Sequence, residues 1–323
     1  MLRQLKNFSG NGFDGLALDI FRFQAAFNET YSRYLSFLKI KTGDVKKAGE
    51  IPFLPIQFFK NFSIKTGTWQ AETVFTSSGT TGNSTSRHAV RDLGFYKKNT
   101  ERGFEKFYGP PSAYCVLALL PSYLERSGSS LVFMADHFIR LSKYKQSGFF
   151  LNNTGELLRV LEGLKKGKTP TLLLGVSFAL LDLAERHSID LQDLVIMETG
   201  GMKGRRKELT RNELHAKLKA AFKVKTIHSE YGMTELFSQA YSKGDGLFCP
   251  APTMKVLARE ITDPLSPQKY GRTGALNIID LANFESISFI ATDDLGQVSE
   301  NGSFTVLGRL DNSDIRGCNL MVE

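Results

Sequence analysis

The chain has 323 residues, 41% of them hydrophobic and 23% charged, which excludes a wholly disordered protein and allows one large domain or two small ones. Its 41 Lys+Arg against 33 Asp+Glu give a formal charge of +8, a balance that suits polyanionic partners such as nucleotides or acidic proteins. No aromatic-basic pattern of the usual nucleic-acid-binding modules is present, so no nucleic-acid partner is expected.

The predicted elements run as follows. Met1 to Gly15 has no basic-then-apolar leader. Asp19 to Lys41 carries apolar residues at helical spacing (Ile20, Phe21, Phe27, Tyr31, Leu35, Leu38) and predicts one or two amphipathic helices. In Ile51 to Lys60 the prolines Pro52 and Pro55 favour extended backbone and the phenylalanines call for burial, so a hydrophobic strap across the core is expected. Buried strands are predicted at Cys115 to Leu120, Thr171 to Leu174, Leu194 to Met197 and Val224 to His228. Helices are predicted at Leu157 to Leu164, Ala179 to His187 and Leu209 to Phe222. Such alternation indicates an α/β fold with largely parallel sheets flanked by helices. After about Phe248 the texture turns strand-like and turn-rich, as in Gly274 to Asp280 and Phe289 to Leu295, and predicts a β-rich terminal subdomain. No apolar run reaches the ~18 residues of a membrane span. The three cysteines, Cys115, Cys249 and Cys318, form neither a disulfide framework nor a paired-cysteine zinc motif. Cys115 is expected in the core and Cys249 in a structural position. The expected location is the cytoplasm.

Four segments carry chemistry. Thr76, Ser77, Ser78, Gly79, Thr80, Thr81 and Gly82 form a run of small hydroxyl residues and glycines whose backbone N–H groups could cradle a phosphate. It is not the Walker pattern, and a flexible surface loop is the bland alternative. Ser229 to Glu235 follows an expected strand and so falls at the carboxyl edge of a sheet, where α/β proteins bind ligands. There Tyr231 could stack on a base, Thr234 contact a phosphate and Glu235 hold Mg²⁺. Asp294, after Thr292, could take both ribose hydroxyls. Arg309, in Gly308-Arg309-Leu310-Asp311, could serve as a forked donor. Each could instead be an ordinary turn with a surface charge.

In this order the set resembles the ANL superfamily of adenylate-forming enzymes, from Phe75 to Gly317. The resemblance adds Gly200 and Gly201 as lining of an adenine pocket and Gly232 as part of the Tyr-Gly-x-Thr-Glu segment. It implies ATP and Mg²⁺ as cofactors. The cofactor-binding residues would be Thr76 to Gly82, Gly200, Gly201, Tyr231, Gly232, Asp294 and Arg309. Glu235 would be the metal ligand, and Thr234, Glu235 and Arg309 catalytic residues. The implied reaction is attack of a carboxylate on the α-phosphate with loss of pyrophosphate.

Two departures narrow the resemblance. The phosphate loop continues Asn83-Ser84-Thr85-Ser86-Arg87-His88, without the lysine expected there and with only Arg87 to offer a cation nearby, and the chain ends at Glu323, soon after the hinge-like segment. Residues 1–307 therefore read as an adenylation domain and 308–323 as a hinge-like segment without the family's small C-terminal domain. Short relatives of this kind, the acyl-protein synthetases of LuxE type, share an Ile-Pro-Phe-Leu-Pro-like segment (Ile51 to Pro55) and an Arg-Gly-Cys sequence (Arg316 to Cys318). That likeness implies a fatty acid as substrate, Cys318 as acyl acceptor and an acyl-reductase or acyl-carrier protein as partner. A thiol beside Arg316 suits that role if ionised and accessible; Cys318 could also be incidental.

Three rival readings stay open. An aryl- or acyl-CoA ligase similar to the phenylacetate-CoA ligases shares the hinge pattern. A serine hydrolase or acyltransferase would use Ser177 in Gly175-Val176-Ser177-Phe178-Ala179 as a nucleophile, although Ser177 reads equally as a helix N-cap. A scaffold that binds no ATP is the third. His228 could line an acyl pocket and His88 could neighbour the phosphates, or both could be structural.

Overall fold

The computed structural model describes residues 1–77, 85–120, 128–150, 153–200 and 209–310. The chain opens with a short helix α1 (Leu2–Leu5) and then α2 (Phe13–Phe27) and α3 (Glu29–Phe37). Asn28 separates the last two. Its extended backbone ends α2, its Oδ1 caps α3 by accepting from the Tyr31 N–H at 3.0 Å, and its Nδ2 donates to the Ser286 carbonyl at 2.8 Å. Of the one or two amphipathic helices expected, two form, divided by a cap that is also a tertiary tie.

The Ile51–Lys60 strap is extended only at its start. Ile51 to Leu54 are buried, β1 (Leu54–Pro55) pairs parallel to a later strand, and the segment then turns into a short helix, α4 (Phe58–Asn61). Tyr31 donates from its hydroxyl to the Pro52 carbonyl at 2.5 Å and Tyr34 to the Phe53 carbonyl at 3.0 Å. Carbonyls that the prolines leave without sheet partners are satisfied in this way. A hairpin of β2 (Thr73–Thr76) and β3 (Arg87–Val90) follows, then α5 (Leu93–Tyr108).

The middle of the chain alternates β4 (Cys115–Leu119), α6 (Ser130–Leu141), β5 (Gly148–Phe150), α7 (Thr154–Lys166), β6 (Thr171–Val176), α8 (Ser177–Arg186), β7 (Val195–Thr199), α9 (Arg211–Phe222) and β8 (His228–Tyr231). Two short strands, β9 (Ala240–Ser242) and β10 (Cys249–Pro250), complete a seven-stranded sheet of order β10-β9-β8-β7-β6-β4-β5. The strands from β4 to β8 are parallel. Every residue of β4 and β6 is buried, as expected of a sheet covered by helices on both faces. Strand order reverses between β4 and β6, which opens a crevice at the carboxyl ends of the strands. The strand expected at Val224 to His228 forms later, as β8. Ser229, Glu230 and Tyr231 therefore lie in the sheet rather than in a loop, because pairing with β7 extends to Glu230 and with β9 to Tyr231.

The β-rich part is a second sheet of β11 (Met254–Arg259), β12 (Thr273–Asp280), β13 (Phe289–Val298) and β14 (Phe304–Arg309), with β1 from the strap added. Both β1 and β14 pair along β13. The first takes Ile290 and Ala291, and the second takes Asp294 to Val298. Opposite, Asn277 pairs with Ala291 and Ala275 with Leu295, so Leu276 alone faces Thr292, Asp293 and Asp294, and β13 bulges there. The buried Arg259 occupies the bulge. It donates to the Leu276 carbonyl at 2.9 Å, the Asn277 Oδ1 at 2.7 Å and the Thr292 carbonyl at 2.7 Å. The two sheets meet where Phe248 and Phe304 exchange backbone hydrogen bonds at 2.8 and 2.9 Å. Cys115 is buried as expected, whereas Cys249 is exposed. Among the described residues, no helix is long and apolar enough to cross a membrane.

Replacing Tyr31 by Phe removes the hydrogen bond that holds the strap and leaves a buried carbonyl unpaired. The expected loss is about 1–2 kcal/mol of unfolding free energy, read from urea denaturation. A value near zero would mean that water or another donor takes over at Pro52.

Candidate active site

The β13 bulge turns Asp294 towards the end of β8. Tyr231, the last residue of β8, donates from its buried hydroxyl to Asp294 Oδ2 at 2.7 Å, and Arg309 on β14 donates from Nε to Asp294 Oδ1 at 3.1 Å. The Tyr231 ring packs against Phe248 and Phe304, with centroids 5.9 and 5.4 Å away. The Asp294 N–H donates to Thr292 Oγ1 at 3.2 Å, which pins the bulge. Three residues drawn from separate sequence segments are thus directly bonded. The neighbouring Asp293 accepts from Gln57 Nε2 of the strap at 2.6 Å.

The turn after β8 brings in Thr234 and Glu235. Its backbone is held by groups with no signal in the sequence: the fully buried Asp280 accepts from the N–H groups of Phe237 and Ser238 at 2.7 and 2.9 Å, and Asn283 Nδ2 donates to the Glu235 carbonyl at 2.7 Å. On its other side His88 Nδ1 bonds the Thr234 carbonyl at 2.9 Å and Nε2 bonds Ser286 Oγ at 2.9 Å. A carbonyl can only accept, so the proton sits on Nδ1 and Nε2 accepts. Burial pushes His88 down to about 4. His88 therefore props the turn as a neutral, buried ring and does not face the phosphate loop as a cation.

Glu235 is itself buried, and burial raises its carboxyl above the ordinary value against opposing contributions from a Ser86 hydrogen bond and the cations Arg309 and Lys60. Ser86 closes the base of the phosphate loop, where its N–H donates to Ser77 Oγ at 2.9 Å and its carbonyl accepts from the Ser77 N–H at 3.1 Å. Thr76 is anchored by its N–H to the Gly128 carbonyl at 2.8 Å. Gly128 has φ +87°, and a Cβ there would lie 2.7 Å from the Val74 carbonyl oxygen, so the close approach requires glycine. Glu235, Ser86 and Ser77 thus connect the Thr234 turn with the loop base. Ser78 to Gly82, Gly201, Asp311, Arg316 and Cys318 lie outside the described residues.

A polar cluster that the sequence did not disclose lies at the carboxyl ends of β7 and β8. Ser177 does not cap α8, whose N-cap is Val176. Its hydroxyl instead donates to Glu198 Oε2 at 2.9 Å and contacts the Gly200 carbonyl at 3.0 Å. Glu198 Oε1 faces Arg211 Nε at 3.3 Å and His215 Nε2 at 3.5 Å. Because the Ser177 hydroxyl is bonded to a carboxylate rather than to an imidazole, no nucleophile–base pair forms and the hydrolase arrangement is absent at Ser177. Burial alone would raise Glu198, but His215 and Arg211 outweigh it and leave the carboxyl below its ordinary value. Its neighbour Glu230 accepts from the Thr199 hydroxyl, and burial, reinforced by the Glu198 charge, pushes it up to about 7. Gly232 is glycine for a steric reason, since a Cβ there would collide with Glu230 Oε1. His228 is at the opposite end of β8, bonded to the Tyr108 hydroxyl at 3.0 Å, and does not line this site.

The same architecture occurs in solved structures. A 2-hydroxyisobutyryl-CoA ligase in complex with 2-HIB-AMP and CoA superposes with a TM-score of 0.66 at 11% identity, over 92% of this chain and 69% of that one. ATP-bound MatB from Rhodopseudomonas palustris gives 0.53 at 15%, over 73% of this chain and 47% of that one. These are adenylate-forming enzymes of the ANL superfamily. The chain has their fold. At such identities the likeness is one of architecture, and this chain spans about half the length of the MatB structures. No protein-family model and no curated protein matches it.

The position of Glu230 yields a test with a definite sign. Its folded value, about 7, lies above the ordinary 4.5, so the native state keeps a proton that the unfolded chain releases. The associated stability is complete below about 4.5 and is lost as pH rises through 7. Glu230→Gln keeps an acceptor for Thr199 without the charge. Its stability relative to the unsubstituted protein should rise by roughly 3 kcal/mol between pH 4.5 and pH 8. A pH-independent difference in thermal or urea unfolding would contradict the assignment.

Proposed function

We propose that this protein binds Mg²⁺-ATP and activates a carboxylic acid as its acyl-adenylate, releasing pyrophosphate. The observation that carries the reading is the bonded trio Tyr231–Asp294–Arg309, beside the Thr234–Glu235 turn, at the carboxyl edge of β8 in a fold whose solved representatives bind ATP or an acyl-AMP.

An ionised carboxylate has about four acceptor positions, of which Tyr231 and Arg309 use two. The remaining positions suit a vicinal diol such as the ribose hydroxyls, and the Tyr231 hydroxyl fixes the carboxylate so that little is reorganised on binding. Arg309 commits only its Nε–H to Asp294, so four N–H donors are left for ribose or phosphate oxygens. Behind the trio, Gly200 and the β8 backbone would flank the base, with Tyr231 against it. The Ser77–Ser86 base would present the small-residue loop to the phosphates.

Glu235 fits a magnesium ion delivered with the nucleotide. Its buried carboxyl pays for its charge when alone, and no cluster of three or more His, Cys, Asp or Glu among the described residues forms a separate cage. Bound there, the ion would neutralise phosphate charge as pyrophosphate departs. In the reaction a carboxylate oxygen forms a bond to the α-phosphorus, the bond from that phosphorus to the bridging oxygen breaks, and pyrophosphate leaves with the electron pair. No net proton transfer is needed, so the protein's task is alignment and charge stabilisation.

For the second half-reaction we place Cys318 as acyl acceptor. Its thiolate would attack the acyl carbonyl, expel AMP and leave a thioester for transfer to a reductase or carrier protein, with a fatty acid as the acyl donor. Residues 308–323 would form the segment that carries it. One observation favours CoA as a second acceptor, since the ligase matched over 92% of this chain was crystallised with CoA.

The test is carboxylate-dependent ATP–pyrophosphate exchange over acetate, long-chain and aromatic acids. Exchange is expected with at least one class, and Asp294→Asn should lower kcat/KM for ATP by roughly 100-fold. Intact mass should then show acylation that Cys318→Ala abolishes, whereas product formation only with added CoA would select the CoA ligase. Absence of exchange with every acid by folded protein would sink adenylation.

A further inference from the structure

A magnesium-bound triphosphate remains anionic and needs cations from the protein. Residues 75–86, which contain the phosphate loop, hold neither lysine nor arginine. Arg309 is anchored through Nε to Asp294 on the ribose side and keeps its other donors, and Arg259 is buried in the β13 bulge. Arg87 follows this stretch directly, at the start of β3, and a second cation for the far end of the nucleotide would come from another element.

The strap brings one. Helix α4 is fixed to the site from three sides. The Ile56 N–H donates to the Ala291 carbonyl at 2.9 Å, immediately before the bulge, and Gln57 Nε2 donates to Asp293 Oδ1 at 2.6 Å. Phe59, 1% exposed, sets its ring 5.3 Å from that of His88, the residue that holds the Thr234 carbonyl. The next residue is Lys60. It is exposed, has no hydrogen-bond or ion-pair partner among the described residues, and with Arg309 is one of the two cations acting on Glu235. A short helix that is bonded on one side to the neighbour of Asp294 and packed on the other against His88 thus carries an uncommitted ammonium whose charge acts on Glu235.

We propose that Lys60 is a triphosphate-binding cation of this site, with its ammonium on β- or γ-phosphate oxygens. This rests on the ATP-dependent reading above. Its role is electrostatic: it stabilises the charge that pyrophosphate takes away when the bond from the α-phosphorus to the bridging oxygen breaks.

Because AMP lacks the outer phosphates, the proposal separates two affinities. In the full-length protein with Mg²⁺, Lys60→Ala should weaken ATP binding by roughly 10- to 100-fold and leave AMP binding within about twofold, the range for loss of one charge-assisted hydrogen bond. Lys60→Arg should restore most of the ATP affinity. Calorimetry with ATP and with AMP reads both, and pyrophosphate exchange should fall in parallel with ATP affinity. Unchanged ATP affinity in Lys60→Ala, or equal losses for ATP and AMP, would overturn the assignment while the ATP reading stands. Failure of the unsubstituted protein to bind either nucleotide would overturn the ATP reading and this inference together.

Discussion

The 2.7 Å hydrogen bond from Tyr231 to Asp294 is the constraint around which the site is arranged. Tyr231 ends a strand of the parallel sheet, Asp294 sits in a bulge of the antiparallel sheet, and their bond joins the two layers at one buried point. Each end needs its own support. The bulge exists because Arg259 fills it with donors for the Leu276 and Thr292 carbonyls, which would otherwise be buried without partners. Tyr231 is held edge-on by Phe304 and tilted against Phe248, the residues through which the sheets also exchange backbone hydrogen bonds.

Stability and site geometry compete around this point. Glu198, Glu230 and Asp280 are all buried carboxyl groups, and burial of each raises the free energy of its charged form. The protein answers them differently. Asp280 receives three backbone N–H groups and a serine hydroxyl at 2.6 Å, Glu198 receives Arg211 and His215, and Glu230 is left with one hydroxyl and a value near 7. Asp280 spends its bonds on backbone geometry, since they shape the turn that presents Thr234 and Glu235. Glu198 and Glu230 lie towards the carboxyl ends of the adjacent parallel strands β7 and β8, the edge at which α/β sheets bind ligands.

Much of the fold was legible because its signals are local. The short apolar stretches at Cys115 to Leu120 and Thr171 to Leu174 read as buried strands, and the helical spacing of α2, α7 and α9 follows from one apolar face. The boundary of β8 was not legible. Ser229, Glu230 and Tyr231 look like a polar turn by composition, and they are strand only because β7 and β9 supply pairing partners on both sides. The helical end of the strap escaped for a similar reason: two prolines read as extended backbone, yet the chain turns into a helix once Ile56 has bonded Ala291.

The sequence by itself determined the chemical inventory and its order: a small-residue loop, a Tyr-Gly-x-Thr-Glu segment, an aspartate after a threonine and an arginine some fifteen positions on. Side-chain chemistry and spacing along one segment are local properties, so they could be read without a fold. Only the tertiary structure decided that Asp294 bonds Tyr231, that Ser177 serves a carboxylate, that His88 is a neutral prop, and that the charge of Lys60 on the strap acts on Glu235. These outcomes depend on a bulge register, on burial and on contacts between residues about twenty to nearly two hundred positions apart. Such contacts form only when the two sheets close on one another.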